Sequence, residues 1–270
     1  MTLPKAVLCV LGDEPAGHPV ESELRSVGFA TFSITWKELN AQQNGWIQIL
    51  PPLDDQTVVA WVLAGKAQDF TDEVRSRVAF LTLAMHRDCP PVTAFVLTDA
   101  GDSSDISNPG DLMDMPQVMS HIQIYCHTQK YAAKLMVAKA KLQPFPNLPF
   151  YAKTHLDPLI GAWLEIAPPP DATWQGFMAG VTKAEISAFG VGPRGVLPVK
   201  CALQFPMLGI KGDFGEQPFS ACAAKNELSA AVSCYMRLDG APGLVFCTEY
   251  PDESKPDRQG DQRYIQLEFV

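Results

Sequence analysis

The chain has 270 residues, 47% apolar and 19% charged, with a formal net charge of −9 and a mean hydropathy of +0.00. That balance excludes a disordered chain, which would be less apolar and more charged. The negative charge is even, −5 over residues 1–143 (11 Lys+Arg, 16 Asp+Glu) and −4 over 144–270 (10 and 14). It argues against nucleic acid or an anionic membrane as a main partner.

The N-terminal run KAVLCVLG (5–12) is continuously apolar and of strand length, which fits a strand buried on both faces. It is too short for a signal-peptide core. HPVESELRSVG (18–28) follows, with Val20, Leu24 and Val27 at helical spacing and Gly28 at the C-cap. FATFSI (29–34) reads as a second strand, residues 36–55 as irregular, and TVVAWVLAG (57–65) as a third buried strand. The clearest helix opens at Thr71, with Asp72 and Glu73 in its first turn and Val74, Val78, Leu81 and Met85 on one stripe. PVTAFVLTDAG (91–101) and HIQIYC (121–126) are strands four and five, and residues 129–143 form a last helix. Strands alternating with helices imply a parallel sheet. The fold expected for residues 1–143 is α/β, a flavodoxin-like doubly wound sheet of order 2-1-3-4-5.

The texture then changes. QPFPNLPFYAKTHLDP (143–158) holds four prolines, and 144–155 reads as a linker. Residues 156–270 carry short alternating runs between Gly and Pro: AWLEIAP, WQGFMAGV, AEISAFGVG, VLPVKCALQF, GLVFCTEY and RYIQLEFV. This predicts a mostly β domain, an antiparallel sandwich or barrel. Residues 218–238 fit either a helix or a hairpin turning at Lys225–Glu227, and the setting favours the hairpin.

In an open α/β sheet, ligands bind beyond the carboxyl ends of the strands. Those ends supply Gly12, Asp13, Glu14, Gly65, Lys66, Thr98, Asp99, Asp102 and His127 as candidate ligand-binding residues. Acidic groups there suit a cation or acid–base work, and Asp13 and Asp99 are the candidates for Mg2+. The stretch 99–115 has five Asp and no basic residue, and reads as a solvated loop long enough to act as a lid. His86–Cys89 and Cys126–His127 lack the second ligand pair that zinc requires. Seven cysteines without a C-x-x-C, mostly among apolar neighbours, indicate a reduced, cytoplasmic protein.

GVGPRG (190–195) matches G-x-G-x-x-G. A phosphate-binding version follows a strand and opens a helix. Here a strand-like run follows it, and Pro193 removes an N–H, so the motif reads as a loop between strands rather than an anion site on Arg194.

The run AVLCVLGDEPAGHPVESELRSVGF and the run PVTAFVLTDAGD resemble parts of a response-regulator receiver domain, with Thr98 at the switch position. The resemblance implies a degenerate receiver: Ala64 and Gly65 stand where the phospho-accepting Asp belongs, and Cys126-His127 replaces the expected Lys. The C-terminal half carries no resemblance. These readings lead to a non-catalytic regulatory or ligand-binding protein, its site at the strand carboxyl ends. Its partner is a small molecule or a protein, with homo-oligomerisation through the β domain. The alternatives are a hydrolase or transferase acting on a nucleotide-like or phosphorylated small molecule, using Mg2+, and a structural interaction module.

Overall fold

The computed structural model describes residues 3–12, 19–40, 45–49, 53, 57–85, 91–98, 116–127, 130–139, 146–157, 159–249 and 262–267. Five strands build the first sheet: β1 (Lys5–Val10), β2 (Ala30–Thr35), β3 (Val58–Gly65), β4 (Val92–Leu97) and β5 (Gln123–Cys126). All neighbours are parallel and the order is β2-β1-β3-β4-β5. The three central strands β1, β3 and β4 are apolar on both faces because both faces are covered. Ala6, Leu8, Val10, Ala60, Val62, Ala94 and Val96 pack against α1 (Pro19–Ser26) and α4 (Tyr131–Lys139). The alternate residues Val7, Cys9, Trp61, Leu63 and Phe95 face α2 (Trp36–Asn40) and α3 (Asp72–Ala84).

Helix α1 ends as its sequence predicts, at Gly28 with φ 97°. Helix α2 corrects the reading of residues 36–55 as irregular. Thr35 and Glu38 form a reciprocal cap: the Thr35 N–H donates to Glu38 Oε2 at 3.0 Å and the Glu38 N–H to Thr35 Oγ1 at 3.2 Å. The bonds from Thr35 lower the Glu38 pKa.

Helix α3 starts at the Thr71 cap, whose hydroxyl accepts from the Val74 N–H. Its stripe Val74, Val78, Leu81 and Met85 is buried, but so are Ala79, Phe80, Thr82 and Leu83. The single stripe understates the burial because α3 is covered from a second side. There the Thr154 hydroxyl donates to the Phe80 carbonyl at 3.2 Å.

Thr154 belongs to β6 (Tyr151–Asp157), the first of nine further strands: β7 (Gly161–Ala167), β8 (Trp174–Thr182), β9 (Glu185–Pro193), β10 (Met207–Phe214), β11 (Gln217–Leu228), β12 (Val232–Asp239), β13 (Leu244–Glu249) and β14 (Arg263–Gln266). Strand β6 thus takes the last five residues of the segment 144–155 read as linker, and 140–145 lie outside the described residues. The nine strands form two antiparallel sheets, β10-β11-β8-β13-β14 and β6-β7-β12-β9. Phe177, Ala179 and Val245 from one meet Leu164, Ile166 and Met236 from the other in a shared apolar layer. That layer belongs to the same buried cluster as α3 and Trp61.

Two expectations in this half change. Residues 217–239 are strand, not helix, but β11 and β12 do not pair as a hairpin. The reversal falls at Ser229–Ala231, where Ser229 and Val232 exchange backbone bonds, and the two strands enter different sheets. The run VLPVKCALQF contributes no strand: residues 196–201 lie over the outer face of the four-stranded sheet as an irregular strap, which goes on to bond through Ala202 and Gln204 to Lys225 and Asn226 of β11.

Because one core joins both halves, the chain is expected to unfold in one step. In urea, hydrogen exchange of β3 and β7 should lose protection at the same midpoint, and two separated midpoints would disprove it. Phe80→Ala should cost about 3–5 kcal/mol and shift both midpoints together.

Candidate functional site

The carboxyl ends of β1, β3, β4 and β5 form one row, tied by Leu11 N to Ala64 O, Thr98 N to Gly65 O and His127 N to Leu97 O at 2.8–3.0 Å. After β1 the chain passes to α1 on one face, and after β3 to α3 on the other. The strand order reverses between them, and a crevice opens at such a point. Asp69 stands in it. Its Oδ2 accepts the Lys66 N–H at 2.8 Å. A Cβ built on Gly65 would lie 3.2 Å from that oxygen, and one on Gly12 3.6 Å. Of the sequence candidates, Gly12, Gly65 and Lys66 therefore gather round Asp69. Thr98 is one strand away, and His127 lies one strand beyond, its Nε2 without a partner among the described residues. Asp13, Glu14, Asp99, Asp102 and the acidic stretch 99–115 fall outside the described residues, as does the His86–Cys89 pair. Among the described residues, no three His, Cys, Asp or Glu side chains are placed to hold a metal.

A second polar cluster lies on the outer face of the four-stranded sheet. Strand alternation sends His155 of β6, Glu165 of β7 and Tyr235 of β12 to that face. Glu165 is fully buried, since the strap covers it. Its Oε2 lies 2.7 Å from His155 Nε2, and its Oε1 accepts the Gly195 N–H at 2.8 Å. The Tyr235 hydroxyl accepts the Val196 N–H at 3.1 Å. Its single proton faces two acceptors, Pro193 O at 2.5 Å and Glu165 Oε1 at 3.1 Å. Burial works to raise the Glu165 pKa, but the bonds from His155 and the Gly195 N–H outweigh it, so the carboxyl sits below its ordinary value. Burial, then the Glu165 charge, push the Tyr235 phenol well above its ordinary value and Tyr151 in the same direction.

GVGPRG frames this cluster, and each glycine has a steric reason. A Cβ on Gly190 would meet Cys201 Sγ at 3.0 Å, and one on Gly192 would meet Pro198 Cβ at 2.7 Å. Gly195 turns the chain with φ 80°. Arg194 lies 3.6 Å over the Tyr151 ring and donates to Ala230 O at 3.1 Å, so its guanidinium is engaged within the protein. The motif is the root of the strap, and β9 runs through it to Pro193.

No family model matches the chain, and no curated protein matches its sequence. Among solved structures it is compared with the capsular polysaccharide assembling protein CapF from Staphylococcus aureus. The two are 9% identical with a TM-score of 0.23, over 97% of this chain and 99% of that one. A likeness at that level carries no argument about fold or function.

The two clusters differ in what they can do. The Glu165 cluster satisfies its own charges and holds the strap, and a buried carboxylate with three partners is a strong anchor. Asp69 is half-buried, and its Oδ2, the oxygen nearest Gly12 and Gly65, is the one that accepts the Lys66 N–H. Neither was among the sequence candidates. Asp69 had a local signal, because an Asp three residues after an extended residue caps a turn. Glu165 and Tyr235 had none, being 70 positions apart.

Glu165→Gln and Tyr235→Phe should each raise the hydrogen-exchange rates of the Gly195 and Val196 amides by about tenfold or more, since a bond to a charged group contributes roughly 1.5–3 kcal/mol. Unchanged rates in both variants would remove the anchor. Because the Glu165 pKa is lowered in the fold, its contribution is present above the ordinary carboxylate range and is lost as pH falls below it. Acid titration should therefore loosen the strap in the wild type and not in Glu165→Gln.

Proposed function

We propose that the protein is a non-catalytic regulatory or ligand-binding protein of the cytoplasm, built on a flavodoxin-like doubly wound half. Its ligand binds at the carboxyl ends of β1 and β3. One observation carries the reading: the Asp69 carboxylate set against two glycines at the reversal of strand order. Gly12 and Gly65 let the Asp69 carboxylate lie close against the strand ends, where a Cβ on Gly65 would crowd Leu11 and Asp69, and Asp69 decides the chemistry of a ligand there. A bare phosphate is repelled there. A small molecule presenting hydroxyl or amine donors is favoured, as is one carried in with Mg2+. In sequence, Asp13 and Glu14 follow β1, and Asp99 and Asp102 follow β4. A receiver-like half with Ala64 and Gly65 closing β3 has no phospho-accepting Asp there, so it would respond to a bound ligand rather than to a phosphoryl group. The described cysteines Cys9, Cys126, Cys201, Cys222, Cys234 and Cys247 are all free thiols, which supports a reducing compartment. Among the described residues no helix is long and apolar enough to cross a membrane.

The test is thermal unfolding against a panel of nucleosides, sugars and amines, each with and without Mg2+. A true ligand at 100 times its dissociation constant adds about 2.7 kcal/mol. Asp69→Asn keeps an acceptor for the Lys66 N–H and removes the charge. It should abolish the response while the variant stays folded, its unliganded melting temperature lowered only by the weaker bond to Lys66. A flat panel, or an undiminished response in Asp69→Asn, overturns the proposal. Turnover of a panel member that disappears in Asp69→Asn would move the site to the hydrolase or transferase reading, with this carboxylate as base or Mg2+ ligand.

A further inference from the structure

Strand β10 is the outermost strand of the five-stranded sheet, paired with β11 on one side and with no strand on the other among the described residues. Its Met207 and Leu208 are 41% and 49% exposed, and in the strap leading to it Val199 is 98% and Phe205 75% exposed. A free edge with apolar side chains templates pairing with another strand.

The hydrogen-bond phase of this edge decides what fits it. β10 and β11 are joined through Gly215 and Glu216, with Gly215 at φ 62° and Phe214 opposite Gln217. In a two-residue hairpin the flanking pair is bonded in both directions, and bonded pairs then alternate. They fall at Phe214/Gln217, Gly212/Phe219 and Ile210/Ala221, and skip Asp213/Pro218 and Lys211/Ser220. Pro218 agrees with this phase, because it has no N–H to give Asp213. The N–H and C=O groups of Lys211 and Asp213 therefore point outward, away from β11.

We propose that two copies of the chain pair antiparallel through β10 about a two-fold axis at Gly212. In that register Lys211 stands opposite Asp213 of the second copy, and Asp213 opposite Lys211 of the second copy. Both pairs use the outward N–H and C=O groups, so the axis carries four backbone bonds and two opposite-charge pairs. Ile210 meets Phe214 of the second copy on the face that holds Phe219 and Phe246. Moving the axis to Lys211 or to Asp213 sets like charges face to face, which is destabilising. A lysine on an edge strand ordinarily guards against pairing. Here Asp213, two residues on and on the same face, answers it in one register. Lys211 is ion-paired at the surface with Glu185 of its own chain, and in the dimer Asp213 of the second copy shares that lysine. The interface is isologous and closes on itself, so it yields a dimer and not a fibre. This inference does not depend on the ligand site at Asp69.

Sedimentation equilibrium over a wide concentration range tests it. The wild type should reach twice the 29.5 kDa chain mass. Lys211→Asp and Asp213→Lys should each raise the dissociation constant roughly tenfold, about 1.4 kcal/mol, because opposite-charge pairs become like-charge pairs. The double variant with both changes should restore the dimer. Asp213→Pro removes an outward N–H without touching a bond to β11, and should give a folded monomer by circular dichroism. A wild type that stays monomeric at every concentration overturns the proposal. So do single charge variants that dimerise normally, or a double variant that stays monomeric.

Discussion

Helix α3 has little solvent face from Val78 to Leu83, and the rest of the molecule is arranged around that fact. A helix apolar nearly all round must be covered on two sides. The parallel sheet covers one side with Trp61, Leu63 and Phe95, and β6 approaches from the other and binds the Phe80 carbonyl through Thr154. The two halves are therefore not beads on a linker. The core of the parallel sheet continues through α3 into the layer between the antiparallel sheets. Through this coupling, a ligand bound as proposed on the α/β half would act on the β half as well, since packed layers shift together rather than deform.

The β half solves a different problem. Its four-stranded sheet has one face toward the shared core and one toward solvent, and a solvent face need not be polar enough to bury a carboxylate. Glu165 is buried there because the strap lies over it and supplies the Gly195 N–H. The glycines of GVGPRG let the strap lie close, and Pro198 and Cys201 rest where side chains would otherwise stand. A string that resembles a phosphate loop is thus a docking track for the protein's own chain. The strap in turn leads the chain into β10, so the anchor at Glu165 and Tyr235 precedes the strand that ends its sheet among the described residues.

The sequence by itself determined the class of each half. Continuous apolar runs such as KAVLCVLG mark strands covered on both faces, and period-two runs such as WQGFMAGV mark strands covered on one. These are local consequences of what each face meets, so they can be read without a partner. The caps at Thr71 and Gly28 are legible for the same reason, and the Thr35–Glu38 box is a signal just as local. The rows Gly12, Gly65, Lys66 and Thr98 followed once strand ends were known, because chain direction in a parallel sheet places all carboxyl ends on one edge.

Only the tertiary structure decided the rest. The second covered side of α3 depends on β6, some 70 residues on, and no periodicity within the helix distinguishes one partner from two. The reversal of residues 217–239 between sheets depends on which neighbours each strand finds, so alternation alone suggested a hairpin. Asp69 acquires meaning from Gly12, which only the pairing of β1 with β3 brings near. Glu165, His155 and Tyr235 come from three strands whose register sets their meeting. Local patterns report what a residue needs around it, whereas identity of the neighbour is fixed by long-range packing, and that is where both candidate sites were made.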